Sequence, residues 1–152
     1  MAKTNGERLA VSNEYLAGSI DADGCISIVK MKRTAGGKCD RHELRLHITN
    51  TDLRFLEIIQ LQFGGSLKGV RSDNNRNPKW KTAYSWRTQG KNAEDIIKRV
   101  FPYLIIKKDR AEVALELRKT ITNGQRNAVT DEILERRESL YLRMKTLNKR
   151  GV

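Results

Sequence analysis

The stretch Leu16-Ala17-Gly18-Ser19-Ile20-Asp21-Ala22-Asp23-Gly24, followed at once by Cys25-Ile26-Ser27-Ile28, decides how the rest of the chain is read. Ser12 or Asn13 can cap a helix that runs through Tyr15, Leu16 and Ala17 towards Ala22. Gly24 stops it, and the Ile- and Val-rich run that follows reads as a strand from Cys25 to Lys32. Gly18 and Ala22 lie one helical turn apart, so they share a face. Two small residues there leave a groove for the backbone of another helix, or else fit under the protein's own sheet. A glycine inside a helix costs up to about 1 kcal/mol, which close packing can offset. A chain with one copy of this helix finds such a partner only in a second copy of itself.

Asp21 and Asp23 sit at the negative end of the helix dipole, where carboxylates are disfavoured. A bound cation reverses that sign. Asp23, just before Gly24, is free to project off the helix, whereas Asp21 is better placed for a structural or capping role.

Outward from this stretch, Gly36-Gly37 supplies a turn and Arg41 to Thr49 reads as the partner strand. Its alternation places Leu44, Leu46 and Ile48 towards a core and Arg41, Glu43, Arg45 and His47 on the opposite face. Thr51 or Asp52 can cap a second helix with an apolar stripe of Leu53, Leu56, Ile58, Ile59 and Phe63, ended by Gly64-Gly65. Strands are expected again over Ser66–Arg71 and Lys81–Thr88, around a polar loop from Ser72 to Lys79. Asn92 is expected to cap a helix through Ile96, Ile97 and Val100, and the Pro102 turn leads into another from about Lys107 to Ile121. Asn123-Gly124 breaks that helix, and Thr130 starts a last one with Leu134, Leu140 and Leu147 on one side.

The order predicts one α+β domain over 1–152, with four antiparallel strands covered by helices on one face. Residues 1–11 form a polar arm, and 125–152 the C-terminal helix. The other face of the sheet carries mostly Arg, Lys, Ser, His and Thr, which suits a solvated or ligand-facing surface rather than a second core.

At 152 residues and 38% apolar content the chain can bury one compact core. Thirty Lys and Arg against eighteen Asp and Glu leave a net charge of +12, which points to a polyanionic partner. No run approaches the roughly 20 apolar residues of a membrane span, and Met1–Ala10 lacks the apolar core of a signal peptide. A soluble intracellular protein without a membrane partner is therefore expected, in an organelle such as a chloroplast or mitochondrion or in a prokaryotic cytoplasm. Cys25 and Cys39 are in no metal-ligand spacing and read as a reduced pair. With only His42 and His47 beside them, a catalytic metal is expected on carboxylate oxygens, which suits Mg²⁺.

The nine residues from Leu16 to Gly24 resemble the LAGLIDADG signature of homing endonucleases, departing from it only at Ser19. The resemblance continues through Ile48-Thr49-Asn50-Thr51-Asp52, Phe63-Gly64-Gly65 and Phe101-Pro102-Tyr103-Leu104, and weakens after about Thr120. It implies the LAGLIDADG homing endonuclease fold, an αββαββα core with a saddle-shaped sheet. It also implies the homodimeric single-motif subgroup, joined across Gly18, Ala22 and Asp21. Each copy would bring one Asp23 to the two-fold axis, where two carboxylates repel unless divalent metal is shared between them. By resemblance the carbonyl of Ala22 adds an oxygen ligand. Asn50 and Lys107 match the family's polar and lysine positions around the metals, and Arg54 is the nearest match to an arginine at the start of the second helix. Lys107 would stabilise transition-state charge, and Asn50, an amide and so no base, would orient a water. Mg²⁺ is the expected cofactor, with other divalent cations such as Mn²⁺ as substitutes, and Ca²⁺ is expected to support binding without cleavage.

The implied activity is hydrolysis of double-stranded DNA at a long pseudo-palindromic site, with a staggered break across the minor groove that promotes mobility of a host intron. A twisted four-stranded ribbon can lie along a major groove. Its expected DNA contacts are Ser27, Val29 and Arg33 on the first strand and Arg41, Arg45 and His47 on the second. Lys68, Arg71, Arg76, Lys81, Ser85 and Arg87 follow from the later strands and their loop. Two other uses of the same scaffold are a maturase that binds intron RNA and a DNA-binding regulator without chemistry. The intact Asp23 and Lys107 favour cutting.

Overall fold

In the computed structural model, residues 9–33, 39–70, 81–121 and 129–149 are described. Helix α1 spans Asn13–Asp23, strand β1 Gly24–Met31, β2 Arg41–Asn50, helix α2 Leu53–Phe63, β3 Ser66–Val70, β4 Ala83–Gln89 and helix α3 Gly90–Val100. A 3-10 turn at Phe101–Tyr103 leads to α4, Lys108–Lys119, and the last helix is α5, Asp131–Leu147. The strands form one antiparallel sheet in the order β1-β2-β4-β3. The expected αββαββα order with helices at the end is what the chain adopts.

Ser12 caps α1 by accepting the Tyr15 N–H, Asp52 caps α2 through the Phe55 N–H, and Thr130 caps α5 through the Ile133 N–H. Between α1 and β1 there is no loop at all. Gly24 makes this possible: a Cβ there would lie 2.7 Å from the Ile20 Cα and 2.8 Å from its carbonyl oxygen. The motif's final glycine is therefore a requirement of close approach, letting the chain pass straight from helix to strand.

Register divides each strand between two faces. Ile26, Ile28, Leu44, Leu46, Ile48 and Trp86 all point to the helix side and are buried, joined there by Leu16, Ala17 and Ile20 of α1 and by residues of α2 to α5. The Trp86 indole N–H donates to the Gly64 carbonyl at 2.7 Å, so the largest core side chain also fixes the end of α2. Asn148, beyond α5, donates to the Ile26 carbonyl at 2.8 Å and ties the last helix to β1.

Some boundaries differ from the sequence expectation. α3 begins at Gly90, not behind an Asn92 cap, because Gly90 takes φ +60 and turns the chain directly out of β4. Asn92 then lies inside the helix and donates instead to the Phe63 carbonyl and the Thr88 hydroxyl. β4 starts at Ala83, so Lys81 precedes it as an exposed residue. The C-terminal helix occupies Asp131–Leu147 of the expected 125–152. Val11, at the end of the expected arm, is held through both backbone groups by the Gln62 side chain. The rest of that arm before Leu9, the Gly36-Gly37 turn, Arg71, Arg76 and the Asn123-Gly124 break lie outside the described residues.

Candidate active site and nucleic-acid face

α1 buries Leu16, Ala17 and Ile20 and leaves the opposite stripe open. Gly18 and Ala22 are exposed, and a Cβ on Gly18 would meet nothing within 4 Å. These small residues do not fit under the protein's own sheet; they face outward. At 100° per residue, Asp21 falls on one flank of this stripe and Tyr15 and Ser19 on the other.

The two carboxylates of the motif have different surroundings. Asp21 is half-buried, and its oxygens accept the backbone N–H groups of Ile105 (2.8 Å) and Lys107 (2.9 Å). It caps the turn that precedes α4, as a structural reading of that residue requires, and its carboxylate serves its own chain. Asp23 is exposed at the helix end and accepts one hydrogen bond, from the Asn50 amide at 3.2 Å. The Asn50 amide oxygen in turn accepts the Asp52 N–H at 2.8 Å, which fixes the amide's orientation. Asn50 thus touches Asp23 directly.

Lys107 reaches the same corner from the other side. Its ammonium donates to the carbonyls of Ile20 (2.9 Å) and Asp21 (2.6 Å), two of the last carbonyls of α1. That is a favourable place for a cation, at the negative end of a helix. Burial nonetheless holds the Lys107 pKa below its ordinary value, against the pull of Asp21 and, more weakly, Asp23. Asp23, Asn50 and Lys107, far apart in sequence, are therefore assembled around one helix end. Arg54 is exposed in the first turn of α2 and makes no hydrogen bond or ion pair with a described residue; the structure does not join it to this group.

The donor set suits a hard divalent cation: an exposed carboxylate and, one residue before it, the Ala22 carbonyl in the last turn of α1, beyond the reach of further helical N–H groups. Among the described residues no three His, Cys, Asp or Glu side chains are grouped to hold a metal. One carboxylate and one carbonyl are fewer oxygens than the roughly six that a hard divalent cation takes.

The sheet's open face begins beside this corner, since Gly24 of β1 follows Asp23 and pairs with Ile48. Across the strands run the rows Cys25–His47–Arg87–Ser66, Ser27–Arg45–Gln89 and Thr49–Ser85–Lys68, with Val29–Glu43 and Met31–Arg41 at the far end. Eight expected contacts, Ser27, Val29, Arg41, Arg45, His47, Lys68, Ser85 and Arg87, are thereby brought to one surface. Arg33 follows β1 on the same parity, exposed at its end, and its backbone N–H donates to Asp40. Thr49 and Gln89 belong to the same surface and were not among the expected contacts; the two-residue period already reaches Thr49 at the end of the expected second strand, and would have found Gln89 had β4 been extended one residue further.

Two groups on this face are buried yet lack partners among the described residues, the Arg45 Nε and the His47 Nδ1. Burial, with Arg87 and Arg45 nearby, lowers the His47 pKa below its ordinary value. A surface that holds unmet polar groups beside uncompensated positive charge is prepared for an anionic, hydrogen-bonding ligand. Among the described residues no helix is long and apolar enough to cross a membrane.

A family profile described as LAGLIDADG endonuclease matches residues 16–121. The fold is similar to that of the homing endonuclease I-CvuI in complex with its target in the presence of Ca, with 22% identity over 92% of this chain and 83% of that one and a TM-score of 0.74. It is also similar to the archaeal intron-encoded homing endonuclease I-Vdi141I complexed with DNA, at 19% identity, 92% and 86% coverage and a TM-score of 0.71. I-SmaMI, a LAGLIDADG homing endonuclease bound to cleaved DNA, matches at 19% identity over 97% of this chain but 47% of its own, with a TM-score of 0.65. No curated protein matches the chain in sequence.

Proposed function

The chain belongs to the LAGLIDADG endonuclease family, and from that premise we propose that it cuts both strands of a long, pseudo-palindromic DNA site as a homodimer. The observation that carries this reading is the outward stripe of Gly18 and Ala22 ending in an exposed Asp23 that accepts a single hydrogen bond, from Asn50. A two-fold axis running along α1 brings both Asp23 carboxylates together at one end. The same operation sets the flank of one copy that carries Ile105 and Ile106, 85% and 65% exposed, against the flank of the other that carries Tyr15, 59% exposed. These apolar side chains are otherwise left in water. The twofold length of I-SmaMI relative to its match agrees with an enzyme needing two such units.

Mg²⁺ is the fitting metal, held by Asp23 and the Ala22 carbonyl from each copy, with Mn²⁺ as a substitute and Ca²⁺ supporting binding alone. When bound, such ions polarise the phosphate and activate water. The chain's own residues do the rest. Asn50 holds the Asp23 carboxylate in place. Lys107 keeps a positive charge beside the scissile phosphate, where it stabilises the charge that develops there. The open face lies in the major groove of each half-site, with Arg45, His47 and Arg87 in reach of base edges and Lys68 and Lys81 of phosphates. Symmetry delivers one cut per strand, a staggered break across the intervening minor groove, and the product suits repair-driven spread of a host intron.

Gly18→Leu tests this directly. The bulky side chain should drive α1 of the two copies apart, giving a monomer in sedimentation and at least roughly tenfold slower cleavage of a site selected from a randomised library. A wild-type protein that sediments as a monomer and still cuts both strands would overturn the homodimer.

A further inference from the structure

At the far end of the sheet from Asp23, β4 leaves the sheet at Gln89, which pairs with Arg45. Residues 41–44 of β2 therefore have β1 on one side and no described strand on the other. Into that gap come Arg118 from α4 and Arg137 from α5. With Arg41, His42, Glu43 and Gly90 they line a cleft of about 260 Å³.

Three guanidinium groups face one glutamate there, and they are not equivalent. Arg118, 8% exposed, is matched by Glu94 at 2.9 Å. Arg137 gives its Nε and Nη2 hydrogens to the hydroxyl and carbonyl of Thr120, both neutral acceptors, and has no carboxylate partner among the described residues. Arg41 is exposed and likewise makes no described ion pair. His42 also lines the cleft; its side chain is 3% exposed and its Nδ1 has no hydrogen-bond partner among the described residues. Burial holds the Arg137 pKa below its ordinary value, the cost of a charge left without a counter-ion.

Two unmatched guanidinium groups at the mouth of a small cleft suit a phosphate, which the planar arginine fork binds through paired hydrogen bonds. Position favours a DNA phosphate over a free one. Arg41 and Glu43 belong by register to the open face, so the cleft adjoins that face at its end. Arg41 lies seven residues along β2 from Ile48, the partner of Gly24 beside Asp23. At ~3.3 Å per residue that is about 23 Å, or about seven base pairs of duplex at ~3.4 Å each.

We propose that this cleft binds one backbone phosphate about seven base pairs from the centre of the target, anchoring each end of the site independently of sequence. The proposal rests on the reading that the open face holds DNA. Its test scans the wild-type protein, with Ca²⁺, against duplexes in which single phosphates are replaced by uncharged methylphosphonates. One position in that window of each half-site should weaken binding about tenfold. In Arg137→Gln the overall affinity should fall by a similar factor, the same replacement should cost nothing more, and the log-log salt slope should drop by about 1 per copy.

Normal affinity with a flat scan in that window overturns this proposal alone, as does a sensitivity that Arg137→Gln leaves undiminished. Should Arg137→Gln fail to fold, the wild-type scan decides. Stabilisation of the wild type by inorganic phosphate combined with a flat scan would mean a free-anion site and also overturns it. A wild-type protein that binds no duplex at all overturns the reading beneath it first.

Discussion

The two faces of the sheet are built from the same strands and differ in almost every other respect. Residues of even number, Ile26, Leu44, Leu46, Ile48 and Trp86, are fully buried under the helices. Their immediate neighbours Ser27, Arg45, His47 and Arg87 share the other face, where two buried polar atoms have no partner among the described residues. The covered face is an apolar core, with the His42 Nδ1 at its far end as the one buried polar side-chain atom there without a partner among the described residues, whereas the open face carries unmet hydrogen-bonding capacity and positive charge. Alternation thus separates stability from recognition residue by residue, and Asp23 stands where the covering helix meets the open face.

The sharpest way to break that separation is at the motif's two carboxylates. Asp23→Asn should reduce cleavage on the order of 10⁴-fold, with specific binding and melting temperature nearly unchanged, because Asp23 makes one long hydrogen bond. Asp21→Asn should do the reverse. It removes an acceptor for one of two backbone N–H groups, that of Lys107 part-buried and that of Ile105 exposed, and should cost about 1 kcal/mol of stability, read by denaturant melts. Equal loss of stability in both variants would refute the division. On the covered face, Trp86→Ala should cost about 3–5 kcal/mol, with the hydrogen bond to Gly64 lost as well; a variant as stable as wild type would mean that the helices hold without it.

Much of this was legible in the sequence because its signals are local. The Ser12 cap, the period of two in β2 and the Gly24 stop each depend on neighbouring residues, and the structure keeps all three. Long-range partners were not legible. Nothing near Lys107 says that its ammonium closes the end of α1, and nothing near Asp21 says that it caps a turn more than 80 residues away. Family resemblance placed Asn50 around the metals, to orient a water, and conveyed position but not its direct hydrogen bond to Asp23. The misplaced start of α3 has a similar origin: Asn92 is a good cap by type, yet the positive φ of Gly90 starts the helix earlier.

The open face should respond to substitution in the opposite currency. Arg45→Ala or Arg87→Ala should change stability by less than about 0.5 kcal/mol and reduce discrimination between the selected site and single-base variants by about 1–3 kcal/mol. Competition binding with a panel of such variants measures this. Uniform weakening across the panel would reassign that arginine to phosphate contact.

The smallest effect concerns His47, which sits in the row between Cys25 and Arg87. Burial first, and Arg87 and Arg45 after it, lower its pKa in the free protein. A histidine whose folded pKa is depressed contributes stability that is present above the unfolded value of about 6.5 and is lost as pH falls towards the folded value. DNA reverses the local balance. Phosphates brought to this face favour the charged imidazolium and raise the pKa in the complex, so binding takes up a proton below the pKa of the bound state. Affinity should therefore rise as pH falls, by about 3- to 10-fold between pH 8 and 5.5 for two copies, while the free protein becomes less stable over the lower part of that range. His47→Gln should flatten the affinity profile without altering the site selected at pH 8. An unchanged slope in that variant would assign the proton uptake elsewhere, and His42, held by Glu138 on the covered side of the same strand, is the one other histidine in the chain.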